Sequence, residues 1–133
     1  MDDNELVGEA VRTLMLSSER FVPVGHLTSA DSLAEEVGRL KPALVVLDID
    51  MPGRDPLEAL SEISRAFPET RTVVFSGHAR ADLVERAVMC GAWGYVSKRD
   101  GERHLMEALE QVMKGEFALS PEPAAVFRGD ALA

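Results

Sequence analysis

Apolar positions along this chain follow two alternating spacings. Between Asn4 and Ser18, the residues Leu6, Val7, Ala10, Val11, Leu14 and Met15 recur at helical spacing and predict a helix with one buried stripe. Phe21 to Leu27 then reads as a short strand. Pro23 within it lacks an N–H, which sheets tolerate mainly at an edge, so an edge position is expected. Ser29 or Asp31 can cap a second helix running to Leu40, with Leu33, Val37 and Leu40 facing inward and Lys41-Pro42 as its stop. The run Ala43 to Leu47 is apolar on both faces, as a parallel strand covered by helices on each side requires. The alternation continues with a helix near Pro56 to Phe67, a strand Thr72 to Phe75, a helix Ala81 to Cys90, a strand Gly94 to Val96 and a helix Gly101 to Lys114. Leu105, Ala108, Leu109, Val112 and Met113 form the stripe of this last helix, and Gly115 is placed to end it.

Strands alternating with helices predict an α/β fold, a doubly wound parallel sheet with right-handed crossovers. Residues 1–115 make one such unit. Residues 116–133 are rich in Pro and Ala, carry no strong period, and read as a C-terminal linker or loosely docked tail, with no DNA-binding domain following. A length of 133 residues suits one compact domain. Cys90 is the one cysteine, so no internal disulfide forms, and no apolar run approaches the roughly 20 residues of a membrane span. A reduced, cytoplasmic protein with no membrane association is expected. The formal charge of −9 opposes direct nucleic-acid binding, which relies on clustered Lys and Arg.

In an open parallel sheet, ligands bind beyond the carboxyl ends of the strands. Asp48, Ser76 and Lys98 follow three successive apolar runs and should converge on one rim. Asp2 and Asp3 join them there if the helix that follows the pair is itself preceded by a strand. A carboxylate, a hydroxyl and an ammonium together suit phosphoryl transfer to Asp48. A Mg²⁺ ion held by acidic side chains would neutralise the incoming group, and Lys98 and Ser76 would contact its oxygens.

These residues lie in segments that resemble a known family. Val-Val-Leu-Asp-Ile-Asp-Met-Pro-Gly at 45–53 is similar to the phosphoacceptor turn of response-regulator receivers. Val-Val-Phe-Ser-Gly-His at 73–78 resembles their switch-hydroxyl segment, and Gly-Ala-Trp-Gly-Tyr-Val-Ser-Lys at 91–98 their aromatic-switch and lysine segment. The resemblance runs from Asp2 to about Glu122. It implies a flavodoxin-like sheet of order 2-1-3-4-5, with Asp48 as phosphoacceptor, Asp3 as direct metal ligand, Asp2 as a ligand through water, and Asp50 contributing its backbone carbonyl to Mg²⁺. It further implies Ser76 and Tyr95 as a switch pair that biases the face formed by helix 81–90, strand 94–96 and helix 101–114. A sensor histidine kinase or a histidine-phosphotransfer protein is the implied partner. The Gly-Ala-x-Gly-Tyr segment and Leu119-Ser120-Pro121-Glu122 look most like the NarL/LuxR type, which regulates transcription.

Two departures stand out. Arg99 follows Lys98 where many receivers have proline, and the acidic pair begins at residue 2, leaving no room for the family's first strand. That strand would lie between the Phe21–Leu27 and Ala43–Leu47 strands, so its absence unpairs two ladders. Met1 is therefore expected to mark a start placed too late. As it stands, the chain should either close the sheet with its own strands in a shifted order or complete it as a homodimer that exchanges strands or tail segments. Two alternatives accompany the phosphoacceptor reading: a degenerate receiver acting as a non-phosphorylated interaction module, and a phosphatase of the haloacid-dehalogenase kind, in which Asp50 would be acid and base. The phosphatase reading calls for a further acidic pair at a strand end after Lys98 and for a substrate-covering cap, and neither is visible after Lys98.

Overall fold

A computed structural model of the chain describes residues 13–16, 23–27, 33–50 and 55–127. In these residues the elements are β1 (Thr13–Leu16), β2 (Pro23–Leu27), α1 (Leu33–Leu40), β3 (Leu44–Leu47), α2 (Pro56–Ala66), β4 (Arg71–Ser76), α3 (Ala81–Met89), β5 (Gly94–Ser97), α4 (Glu102–Met113), β6 (Ala118–Leu119) and α5 (Pro121–Val126). A short 3₁₀ turn, Lys98–Asp100, joins β5 to α4. The strands form one sheet in the order β2-β1-β3-β4-β5-β6. From β3 to β6 every pairing is parallel.

Alternation along the strands divides the core. Val45, Leu47, Val74 and Tyr95 point to one face, where α1, α2 and α3 bury Leu33, Val37, Leu57, Leu60, Ile63, Val84 and Ala87. Leu44, Val46, Val73, Phe75 and Val96 point to the other, covered by Leu105, Ala108, Leu109 and Val112 of α4. Each Leu in this set contributes about 1.5–3 kcal/mol by leaving water, so the continuous apolar runs of β3 and β4 are held from both sides. The doubly wound α/β architecture predicted from the alternation is the one observed. Asp55 caps α2 through its carboxylate, which accepts from Leu57 N at 3.0 Å, and Pro56 fills the first helical position.

The first element differs from expectation. Thr13 to Leu16, placed by periodicity in a helix spanning Asn4 to Ser18, are instead a strand; the rest of that predicted helix lies outside the described residues. Thr-Leu-Met-Leu ends in an apolar run short enough to serve either period. As a strand it pairs on both sides at once, antiparallel to β2 and to β3, and so closes two ladders that would otherwise stand open. Its direction follows from chain length: only residues 17–22 separate β1 from β2, enough for an antiparallel neighbour, whereas a parallel crossover takes a dozen or more. The chain thus fills the missing-strand position itself, with its own residues in reversed direction. β2 is the edge, as Pro23 implied. The register slips between Met15 and Leu16, so that Pro23 meets Leu16 at an irregularity that accommodates its missing donor.

The other end also gains structure. Residues 116–127, read from composition as linker or tail, contain β6, which pairs with β5, and α5, which packs Val126 against the α1–α2–α3 side of the core. Phe117 and Phe127 meet with ring centroids 5.9 Å apart. Gly94 permits this docking, because a Cβ there would stand 2.9 Å from the Ala118 carbonyl oxygen. No helix among the described residues is long and apolar enough to cross a membrane.

Candidate functional site

Parallel pairing puts the carboxyl ends of β3, β4 and β5 side by side. Leu47 pairs with Val74, and Ser76 with Ser97, so Asp48, Ser76 and Lys98 all emerge at the same rim. Asp48 is 1% exposed. Its Oδ2 accepts from Lys98 Nζ at 2.7 Å and its Oδ1 from the Asp50 backbone N–H at 2.8 Å. The second bond is a local turn in which a carboxylate captures the amide two residues on. Lys98 is a third exposed, with its ammonium 5.8 Å from the centre of the Phe75 ring and 3.6 Å from Asp50 Oδ2.

Ser76 does not bond Asp48. Its hydroxyl donates to Asp50 Oδ1 at 3.2 Å and accepts from the His78 backbone N–H at 3.0 Å. Asp50 Oδ2 also accepts from Gly77 N at 3.1 Å. The Asp50 side chain therefore spans from the β3 end to the β4 end, taking the hydroxyl and amide donors on one side of Lys98. This bridging role was not read from the sequence, where the phosphoacceptor reading gave Asp50 only its backbone carbonyl. The signal was the Asp-x-Asp spacing itself, since a second carboxylate two residues past a strand end is free to reach the next loop.

Tyr95 is fully buried on β5, and its hydroxyl donates to the His78 carbonyl at 2.5 Å. Burial away from water pushes its pKa up to about 12; the Ser76 hydroxyl opposes that rise and the negative charge of Asp50 adds to it. Ser76, His78 and Tyr95 form one chain of contacts from the rim into the core. His78 itself is exposed, and Trp93 is a partly buried packing group stacked by the Arg71 guanidinium at 4.7 Å. Among the described residues no buried polar side-chain atom lacks a partner.

Asp2 and Asp3, assigned as metal ligands, lie outside the described residues. Asp48 and Asp50 supply hard oxygen donors of the kind Mg²⁺ selects. Among the described residues no three acidic or other metal-binding side chains gather into one group. The two carboxylates thus fit part of a Mg²⁺ shell, of which waters and other oxygen donors would be the remainder. Because β1 runs backward, Thr13 lies opposite Leu47, so the chain enters β1 from the Asp48 rim.

Comparison with known proteins identifies the family of this fold. The response regulator receiver domain family matches residues 1–110. Response regulator GacA of Pseudomonas aeruginosa is 29% identical over 124 residues, covering 93% of this chain and 58% of its own length. The nitrate/nitrite response regulator protein NarL of Escherichia coli is 32% identical over 120 residues, covering 90% and 56% respectively. This chain therefore spans little more than half the length of these curated relatives. A two-component response regulator of the LuxR family from Aurantimonas sp. SI85-9A1 superimposes with a TM-score of 0.70 at 28% identity, over 74% of this chain and 70% of that one. With a family match over most of its length and the rim geometry in register, the chain belongs to the response regulator receiver family of two-component signalling.

Proposed function

We propose that the chain accepts a phosphoryl group on Asp48 from the phosphohistidine of a sensor histidine kinase or a histidine-phosphotransfer protein. The observation that carries this reading is a carboxylate almost without solvent exposure at a strand end, held by the one ammonium at that rim among the described residues. In the transfer an Asp48 oxygen attacks phosphorus and a P–O bond forms as the donor's P–N bond breaks. The bonding pair stays on the imidazole nitrogen, and the ring takes one proton from solvent. Mg²⁺, held by Asp48, the Asp50 backbone carbonyl and, as the family resemblance implies, Asp2 and Asp3, would neutralise charge on the phosphoryl oxygens. Lys98 leaves its ion pair with Asp48 to meet one of those oxygens, and the Ser76 hydroxyl turns from Asp50 to another. Movement of Ser76 frees the His78 loop and alters the hold on Tyr95, biasing the α3–β5–α4 face toward a partner. The chain acts as a cytoplasmic signalling receiver; the only enzymatic activities proposed are its own phosphorylation and dephosphorylation.

Incubation with Mg²⁺ and acetyl phosphate should add one phosphoryl mass, read by intact mass spectrometry, and Asp48→Asn should remove that gain because an amide is a far poorer nucleophile. Labelling that persists on another residue overturns the assignment. One observation favours a second reading, that of an interaction module which is not phosphorylated. Asp50 already holds the Ser76 and Gly77 donors with its own carboxylate, and on this reading that anion fixes the switch without any phosphoryl group. The same experiment separates the two, since the second reading requires no mass gain in the unsubstituted chain.

A further inference from the structure

Lys98 opens the turn that ends at Asp100, and both ends of this turn are gripped from outside by the C-terminal segment. At the first end, Ser97 N donates to Ser120 Oγ at 2.9 Å, and the Ser97 hydroxyl donates to Glu122 Oε1. The same Ser97 oxygen accepts from Arg99 N at 3.1 Å, capping the turn. At the far end, Asp100 Oδ2 accepts from Glu122 N at 2.9 Å. Ser120 N in turn donates to the Tyr95 carbonyl at 3.1 Å, and Arg99 Nη1 lies 3.6 Å from Glu122 Oε2. Ser97 and Ser120 are buried, at 0% and 3% exposure. Buried hydrogen bonds of this kind hold geometry strongly, because losing one partner strands the other without water.

None of these tail groups bonds Asp48, Asp50 or the Lys98 ammonium. They fix Ser97 and Asp100, the residues on either side of Lys98-Arg99, and the direction in which the Lys98 side chain leaves the backbone follows from that. We propose that Ser120 and Glu122 are positioning residues for Lys98, so that docking of residues 118–126 and occupation of the Asp48 site are coupled through the 97–100 turn. This inference rests on the proposed contact of Lys98 with the phosphoryl group. Coupling is reciprocal: a tail that holds Lys98 for an anion at Asp48 is itself held more firmly once that anion is bound.

The test uses the 133-residue chain with beryllofluoride and saturating Mg²⁺, with affinity read from amide NMR shifts. Glu122→Ala should weaken beryllofluoride binding about fivefold, at the low end of usual coupling strengths. Glu122→Gln, which still accepts the Ser97 hydroxyl, should recover most of the loss. Ser120→Ala should weaken binding in the same direction, because it removes the acceptor of the Ser97 backbone N–H. The decisive measurement is Glu122→Ala in a Lys98→Ala background, where it should have no further effect, because its influence passes through Lys98. Losses that add in the double variant, or affinity unchanged in Glu122→Ala while the unsubstituted chain binds, overturn the clasp. Failure of the unsubstituted chain to bind beryllofluoride instead overturns the phosphoacceptor reading, and the clasp's role in it.

Discussion

Replacing Lys98 by methionine should destabilise this protein in a way that Mg²⁺ repairs. Asp48 is 1% exposed and its charge is met by Lys98 at 2.7 Å and by one backbone amide at 2.8 Å. Removing one partner of a fully buried ion pair costs about 3–5 kcal/mol, chiefly because the remaining charge stays in a poorly solvated place. Here the lysine side chain is 34% exposed and the Asp50 N–H bond survives. Water therefore weakens the pair already, and about 2 kcal/mol is the reasonable loss. For a chain of this length that corresponds to a melting temperature lower by about 6–10 °C. A divalent cation at the rim replaces the missing charge, and a site filled to a hundred times its dissociation constant adds about 2.7 kcal/mol. Thermal melts with and without Mg²⁺ should show a larger stabilisation in Lys98→Met than in the unsubstituted chain. Adding Asp48→Asn to Lys98→Met should restore stability without metal and abolish the Mg²⁺ response. A Lys98→Met variant that melts with the parent, or an equal Mg²⁺ shift in both, refutes the account of Asp48 as a charge that requires a cation.

Tyr95 is the one tyrosine of the chain, so its ionisation is readable by ultraviolet absorbance. With its pKa raised to about 12 by burial, it should stay protonated in the folded state where an unfolded tyrosine ionises near 10, so the stability it contributes is complete below pH 10 and disappears as pH rises toward 12. Ionisation with a midpoint near 10 in protein shown folded by circular dichroism would contradict the burial. Gly91→Ala should cost about 3 kcal/mol, because φ is +108° and the new Cβ would lie 2.2 Å from Ser64 Oγ; a urea midpoint equal to that of the parent would show that the turn yields. Asp50→Ala should speed labelling by acetyl phosphate a few-fold at saturating Mg²⁺, since Ser76 and Gly77 lose their resident carboxylate while the Asp50 backbone carbonyl is kept. Slower labelling would assign that side chain a supporting part in the chemistry.

The parallel half of the molecule was legible because its signals are redundant. Val45-Val46-Leu47 and Val73-Val74-Phe75 are buried on both faces, and Leu105, Ala108, Leu109 and Val112 keep strict helical spacing, so local pattern and tertiary position agree. Asp48, Ser76 and Lys98 could be placed on one rim because each ends such a strand. Thr13 to Leu16 misled because a four-residue segment with three apolar residues satisfies either period, and the deciding term, two open ladders on β2 and β3, is not local. The clasp was hidden for a related reason. Ser120 and Glu122 make their bonds to residues more than 20 positions away, and the Pro and Ala around them gave no period by which the segment could be seen to dock. The turn of Asp50 toward Ser76 likewise depends on the loop after β4 and not on residues near Asp50 in sequence.

The reversed β1 also changes the order in which the sheet can be assembled. A parallel first strand would join its neighbours only after long crossovers had closed, and such distant pairings are slow to find. β1 and β2 are instead antiparallel partners separated by residues 17–22, a hairpin-like pair of low sequence separation that forms on a microsecond scale when hairpins fold freely. β3 then adds to an edge of β1 that is already paired on its other side. Folding of the amino-terminal half should therefore begin from this local pair. Substitutions in β1 that weaken it would slow refolding, whereas substitutions around β6, which joins last along the sheet, would chiefly speed unfolding.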